Sequence, residues 1–291
     1  MFRTLVTMSL AAGIFTGAVG TALAQDKAPV KIGWSAWSDA EFVTKLAAKL
    51  IKDELGQEVE LIQTDVAPLY QGVGRGDLDA MMMAWLPETH ADYFAKVKDK
   101  VTTLGTVYDG AKLGWVVPKY VPEDAIASIE DLEKAEVKEK LNGRIEGIDP
   151  GAGLTRLSEQ AVKDYELGDY KLQISSEAGM LTTIDRAIRK EEWFVATSWS
   201  PHWMFGKYEL RYLDDPKGAL GKAEHVDVIA RKDFEKNNPE VAAFLSRMKL
   251  PIGDLEAAMF NAQETSYEKA VDKYIEDHPD QIKAWLGKES G

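Results

Sequence analysis

Cysteine is missing from all 291 residues. That removes a disulfide framework, a thiolate nucleophile and thiolate metal ligands together. It also removes the lipidated cysteine that would tether an exported chain at its cleavage site. Histidine is scarce too. His90, His202, His225 and His278 stand singly, without ligand spacing, and no D-x-D-x-D-G calcium loop occurs. We therefore expect no metal site and no cofactor. G-x-S-x-G, H-E-x-x-H and G-x-x-x-x-G-K-[ST] are absent, and Gly72-Val73-Gly74-Arg75-Gly76 misses the dinucleotide-binding spacing. The expectation is a protein that is not an enzyme. Positive charge is in deficit as well: the net charge is -13, which argues against nucleic acid and anionic lipid as partners.

Long apolar runs are confined to the start. Met1-Phe2-Arg3-Thr4 is weakly basic, Leu5 to Gly20 carries no charge, and Ala22-Leu23-Ala24 is a small-x-small cleavage pattern. Residues 1–24 thus read as a cleaved secretory signal peptide, and the expected location is the periplasm. No later stretch is apolar and long enough to span a bilayer. The whole chain is 45% hydrophobic with interspersed charge; the part after the leader has no repeat and no low-complexity linker, and is long enough for two modest domains.

Strand and helix patterns alternate along it. Val30 to Trp34 reads as a strand, and Glu41 to Leu55 as a helix with Phe42, Val43, Leu46, Ala47, Leu50 and Ile51 on one face, ended by Gly56. Strands Val59 to Thr64 and Ala80 to Trp85 follow, with a short helix from Pro68 between them. Val101 to Tyr108 and Leu113 to Val117 are two successive extended runs, a crossing between domains. Ser128-Ile129-Glu130-Asp131 resembles a capping box. Strands at Arg144 to Ile148, Tyr170 to Ile174, Trp193 to Ser198 and Val226 to Ala230 alternate with helices to the end. The fold class is α/β, with mostly parallel sheets flanked by helices, so function belongs at the carboxyl ends of strands.

Tryptophan is over-represented there. Of eight in the chain, Trp34, Trp37, Trp85 and Trp199 lie at strand exits or just beyond, and Trp203 follows Trp199 by four residues. A quaternary ammonium has no N–H to donate and spreads its charge over methyl groups. It favours aromatic faces, each contact contributing on the order of 0.5–2 kcal/mol, with indole the strongest partner. A zwitterion of that kind also needs an anion site. Gly151-Ala152-Gly153 and Ser38-Asp39-Ala40-Glu41 both open helices, whose N–H groups could receive a carboxylate, and His90 lies five residues after Trp85. Each of these is also an ordinary helix start or surface residue.

The runs DAMMMAWLPETH (79–90), GWVVPKYVP (114–122), GIDPGAG (147–153), SWSPHWMFGKYELRYLDDP (198–216) and AEHV (223–226) closely resemble the glycine betaine-binding proteins of ABC importers. The resemblance covers essentially the whole chain after the leader. It implies a two-lobed type II periplasmic-binding-protein fold closing on ligand in a cleft between lobes, with lobe I at 25–111 and 216–291 and lobe II at 112–215. It implies a membrane permease as partner, a monomer, and a small quaternary-ammonium or methylated amine ligand: glycine betaine or, alternatively, trimethylamine N-oxide, choline, carnitine or dimethylsulfoniopropionate. Trp85 and Trp199 match cage tryptophans of the family. His90, Gly153 and Leu154 match carboxylate contacts in some members, and the region of Asp39 and Ala40 matches backbone donors in another branch. The chain departs from the pattern at the third wall, having Ala152 where one branch has tryptophan. Trp37 is the expected replacement, with Trp34, Trp203 and Trp115 behind it in that order.

Overall fold

A computed structural model describes residues 28–288, so the expected leader at 1–24 lies outside the described residues. The strands are β1 (Val30–Trp34), β2 (Val59–Gln63), β3 (Ala80–Leu86), β4 (Val101–Pro118), β5 (Arg144–Glu146), β6 (Lys171–Gln173), β7 (Ala196–Ser200), β8 (Leu210–Tyr212) and β9 (Glu224–Arg231). The helices between strands are α1 (Ser38–Leu55), α2 (Val66–Arg75), α3 (Ala91–Ala95), α4 (Ala135–Lys140), α5 (Gly153–Asp164), α6 (Glu177–Arg189) and α7 (Met204–Lys207). Helices α8 (Phe234–Asn237), α9 (Pro239–Arg247), α10 (Ile252–Glu264), α11 (Tyr267–Asp277) and α12 (Pro279–Leu286) close the chain.

The strands run in the order β2-β1-β3-β9-β4-β7-β5-β6, with β8 also paired to β4. The β3 run Ala-Met-Met-Met-Ala-Trp-Leu is buried at every position, as a central strand covered on both faces demands. Pairing is mixed rather than mostly parallel. β1 runs parallel to β2 and β3, and β5 to β6 and β7, as the strand–helix units predict. β3 and β9, and β4 with β7, β8 and β9, are antiparallel. The reason lies in β4. The two extended runs join into one 18-residue strand that pairs first with β9 and then with β7.

Apolar packing follows that division. α1 buries Phe42, Val43, Leu46, Ala47, Leu50 and Ile51, and Gly56 ends it at φ 64° with its N–H on the Ile51 carbonyl. Burying each large side chain contributes roughly 1.5–3 kcal/mol, so a polar residue at Leu46 would break the helix from the sheet. A separate core of Trp115, Val117, Ile129, Leu141, Ile145, Tyr165 and Val195 sits under the β5–β7 end. Ser128 does form a capping box with Asp131, although the helix it opens is a single 3₁₀ segment, Ile129–Glu133. Gly76 caps α2 at φ 82°, so the glycine-rich run ends a helix.

Candidate ligand-binding site

Strand ends position the site. β3 cannot extend past Leu86, because Pro87 has no N–H for the ladder, and the chain turns with Trp85 near the strand's carboxyl end. β7 stops in the same way at Ser200, before Pro201, and its Trp199 sits in register with Leu113 of β4. The third contributor is the loop after β1, where Trp37 is the last residue before α1. Trp37, Trp85 and Trp199 line one small cavity. All three are at least nine-tenths buried. The Trp37 ring N–H donates to Asp149 Oδ2 at 2.9 Å, which fixes its indole across the space between the two ends of the sheet.

Asp39 completes the aromatic wall and is the cavity group that sequence patterns obscure. Its carboxylate is buried in the first turn of α1, accepting from the Tyr108 hydroxyl at 2.7 Å and from the Trp199 ring N–H at 3.3 Å. Burial pushes its pKa up to about 6, Tyr108 opposing and the Glu177 charge adding to the rise. A cation arriving beside it would favour the ionised form.

The other side of the cavity is neutral. His90 is buried, and its Nδ1 accepts from the Trp85 N–H at 3.2 Å. Burial lowers the ring's pKa to about 3, against a backbone bond to Met83 and with help from Arg156, so the imidazole carries no charge near neutrality. His90 therefore offers a dipole rather than an ion. Ala152, Gly153 and Leu154 line the cavity from the start of α5, where Ala152 supplies no capping oxygen and the first-turn N–H groups have no side-chain partner. Gly153 is required by a close approach: a Cβ there would lie 2.3 Å from the Thr89 carbonyl oxygen. Thr89, Leu113 and Ile148 fill the remaining wall.

The structure thus brings Trp37, Trp85, Trp199, His90, Gly153 and Leu154 to one cavity and leaves the other candidates outside it. Trp34 is half-buried at the end of β1, away from the cavity, its ring N–H buried without a partner among the described residues. Trp203 turns away, its ring N–H donating to Ser38 Oγ at 3.0 Å. Ala40 is fully buried within α1, where its N–H supports the Asp39 carboxylate. Trp115 lies in the second core, bonded to Ser158 Oγ at 3.0 Å. The side chains of Asp39, Thr89, Leu113 and Ile148 were the missed members. Asp39 could have been found by asking which acidic residue flanks Trp37.

Comparisons with known proteins identify the family. Residues 28–277 match the family described as the substrate binding domain of ABC-type glycine betaine transport systems. A glycine betaine/carnitine transport binding protein of Listeria monocytogenes is 36% identical over 155 residues, about half of this chain and half of that protein (52% of each). Among solved structures, lactococcal OpuAC, closed on glycine betaine, superposes with a TM-score of 0.82 at 36% identity, covering 89% of this chain and all (100%) of that one. An ABC-transporter choline-binding protein in complex with choline gives 0.80 at 26% identity, covering 89% and 91%. The fold is accordingly the two-lobed α/β fold of type II binding proteins, whose family is one of solute capture and not of enzymes. The chain belongs to the family of substrate-binding domains of ABC-type glycine betaine transport systems.

Proposed function

We propose that the chain is the periplasmic receptor of an ABC importer and captures a small quaternary-ammonium compound of the glycine betaine class in a tryptophan cage. The carrying observation is the convergence of three indoles and one buried carboxylate on a single small cavity. Three aromatic contacts at on the order of 0.5–2 kcal/mol each, strengthened by exclusion of water from the methyl groups, supply affinity without any N–H on the ligand. Trp37, Trp85 and Asp39 belong to lobe I (25–111 and 216–291), and Trp199, Gly153 and Leu154 to lobe II (112–215). Ligand would bridge the lobes as they rotate about β4 and the return segment before β9, and the closed form would then dock on the permease as a monomer.

One observation favours a refinement. Asp39 places negative charge at the ammonium end, while His90 adds no positive charge at the other end. A net cation such as choline gains the full attraction of Asp39. Glycine betaine gains it too, but its own carboxylate lies a few ångströms further on and has only the N–H groups of Gly153 and Leu154 to offset repulsion. Calorimetric titration of protein stripped of ligand by unfolding and refolding decides between them, using glycine betaine, choline, trimethylamine N-oxide, carnitine and dimethylsulfoniopropionate, with proline as control. Tighter binding of choline supports Asp39 as the counter-charge. Tighter binding of glycine betaine gives the α5 N-terminus the larger part. Proline binding as tightly as the methylated amines would sink the cage.

A further inference from the structure

A second cluster of buried polar groups stands beside the cavity without lining it. Glu177, the first residue of α6, accepts from the Ser38 N–H at Oε2 (2.9 Å) and from the Ser38 hydroxyl and His202 Nε2 at Oε1, the latter at 3.1 Å. His202 Nδ1 accepts the Met204 N–H at 2.9 Å, so Nε2 is the protonated nitrogen and donates to Glu177. The Trp203 ring N–H closes the set on Ser38 Oγ. Ser38, Glu177, His202 and Trp203 are 0–6% exposed. Both carboxylate oxygens are engaged by donors of the chain itself.

The cluster is divided by chain position. Ser38 stands between Trp37 and Asp39 on the lobe I side, and Glu177, His202 and Trp203 on the lobe II side. Rotation of the lobes would break the Ser38 bonds and keep the His202–Glu177 bond, so His202 holds the carboxylate aimed at its partner. We infer that Glu177 is a positioning residue for closure, a latch that binds Ser38 only when the lobes meet and contributes to affinity through the closed state, without touching ligand. The inference rests on the closure proposed above. Its signature is specific: a group acting on closure changes the affinity of every ligand by one factor, whereas a cage residue changes the ratio between ligands.

The test uses two readouts on the full chain. Because the chain has no cysteine, Lys52→Cys in α1 and Lys163→Cys in α5, both on exposed positions, accept a fluorophore pair without background labelling. Energy transfer between them reports closure with and without ligand. Calorimetry and stopped-flow dissociation with choline and with glycine betaine report affinity. For Glu177→Gln we expect both dissociation constants to rise by the same factor, about tenfold or more and through faster dissociation, together with a shift of energy transfer toward the open form. Trp203→Phe keeps the packing and removes one donor, so it should shift both readouts the same way by less. Unchanged affinity and unchanged transfer in Glu177→Gln overturn the latch. So does a change of more than about threefold in the choline-to-betaine ratio, well beyond the uniform factor expected of a pure population shift. If the wild type binds neither ligand, the proposed function fails, and the transfer distribution alone then decides the latch.

Discussion

After β3 the chain reads Trp85-Leu86-Pro87-Glu88-Thr89-His90, and after β7 it reads Trp199-Ser200-Pro201-His202-Trp203. Each block puts an indole on the cavity, stops its strand at a proline and then buries a histidine. The two histidines nonetheless serve different ends. His90 lines the cavity, without a carboxylate partner, in a setting that holds its ring neutral. His202 packs edge-on against Trp199 with ring centroids 4.5 Å apart and spends its Nε2 on Glu177, outside the cavity. One block puts its histidine on the cavity wall, and the other turns its histidine onto a buried glutamate. A Trp-x-Pro pattern therefore specifies where an indole goes, and the residues packed behind it decide what the neighbouring histidine does.

The largest effect should come from the shared element. Trp85→Ala and Trp199→Ala are each expected to weaken ligand binding by one to three powers of ten, about 2–4 kcal/mol for truncating a buried anchor. Calorimetry that finds wild-type affinity in both would end the cage proposal. Gly153→Ala breaks the comparison from the opposite wall. Its Cβ would meet the Thr89 carbonyl of the first block, so closure should be blocked and affinity fall by about tenfold or more, while the unfolding midpoint stays near wild type. Near-native affinity would mean that the two walls do not meet as closely in solution.

Asp39→Asn comes next. It should weaken choline by about tenfold and glycine betaine by less, the loss of one buried counter-charge. The sign of the pH effect follows from the raised pKa. Free protein holds the Asp39 proton more tightly than the unfolded chain, whose value is near 3.8, so this group lowers stability as pH rises from about 4 to 6. A bound cation favours the ionised form, so choline affinity should climb across that window, and titration of Asp39→Asn should find it flat. The smallest effect is expected at His90. Because the ring is neutral, His90→Gln should cost about threefold and leave the pH dependence between 6 and 8 unaltered. A larger loss there, growing with acidity, would assign a charged role to the imidazole.

Much of this was legible in the sequence for a physical reason. Strand–helix alternation marks the sheet, and a cluster of indoles at strand ends singled out Trp37, Trp85 and Trp199 among the candidates. The direction of the loop after a strand is not written locally. Trp34 and Trp203 are as close to strand ends as Trp37, yet Trp34 stays within β1 and the Trp203 ring is bonded to Ser38 away from the cavity. Asp39 was hidden by its neighbours, since an acidic residue in a helix's first turn is ordinarily explained by the helix dipole. The antiparallel pairs of β4 and β9 were also out of reach, because two extended runs in succession do not reveal whether they continue as one strand.

The shared hold on Asp39, by Tyr108 of β4 and Trp199 of β7, makes capture of a cation a proton-counting event. Around pH 6 a substantial share of free molecules carries the proton on that carboxyl, and an arriving cation expels it into the medium. The heat of binding should then vary with the ionisation enthalpy of the buffer, with a slope equal to the number of protons released, a fraction of one. At pH 8, where the carboxyl is already ionised, the slope should vanish.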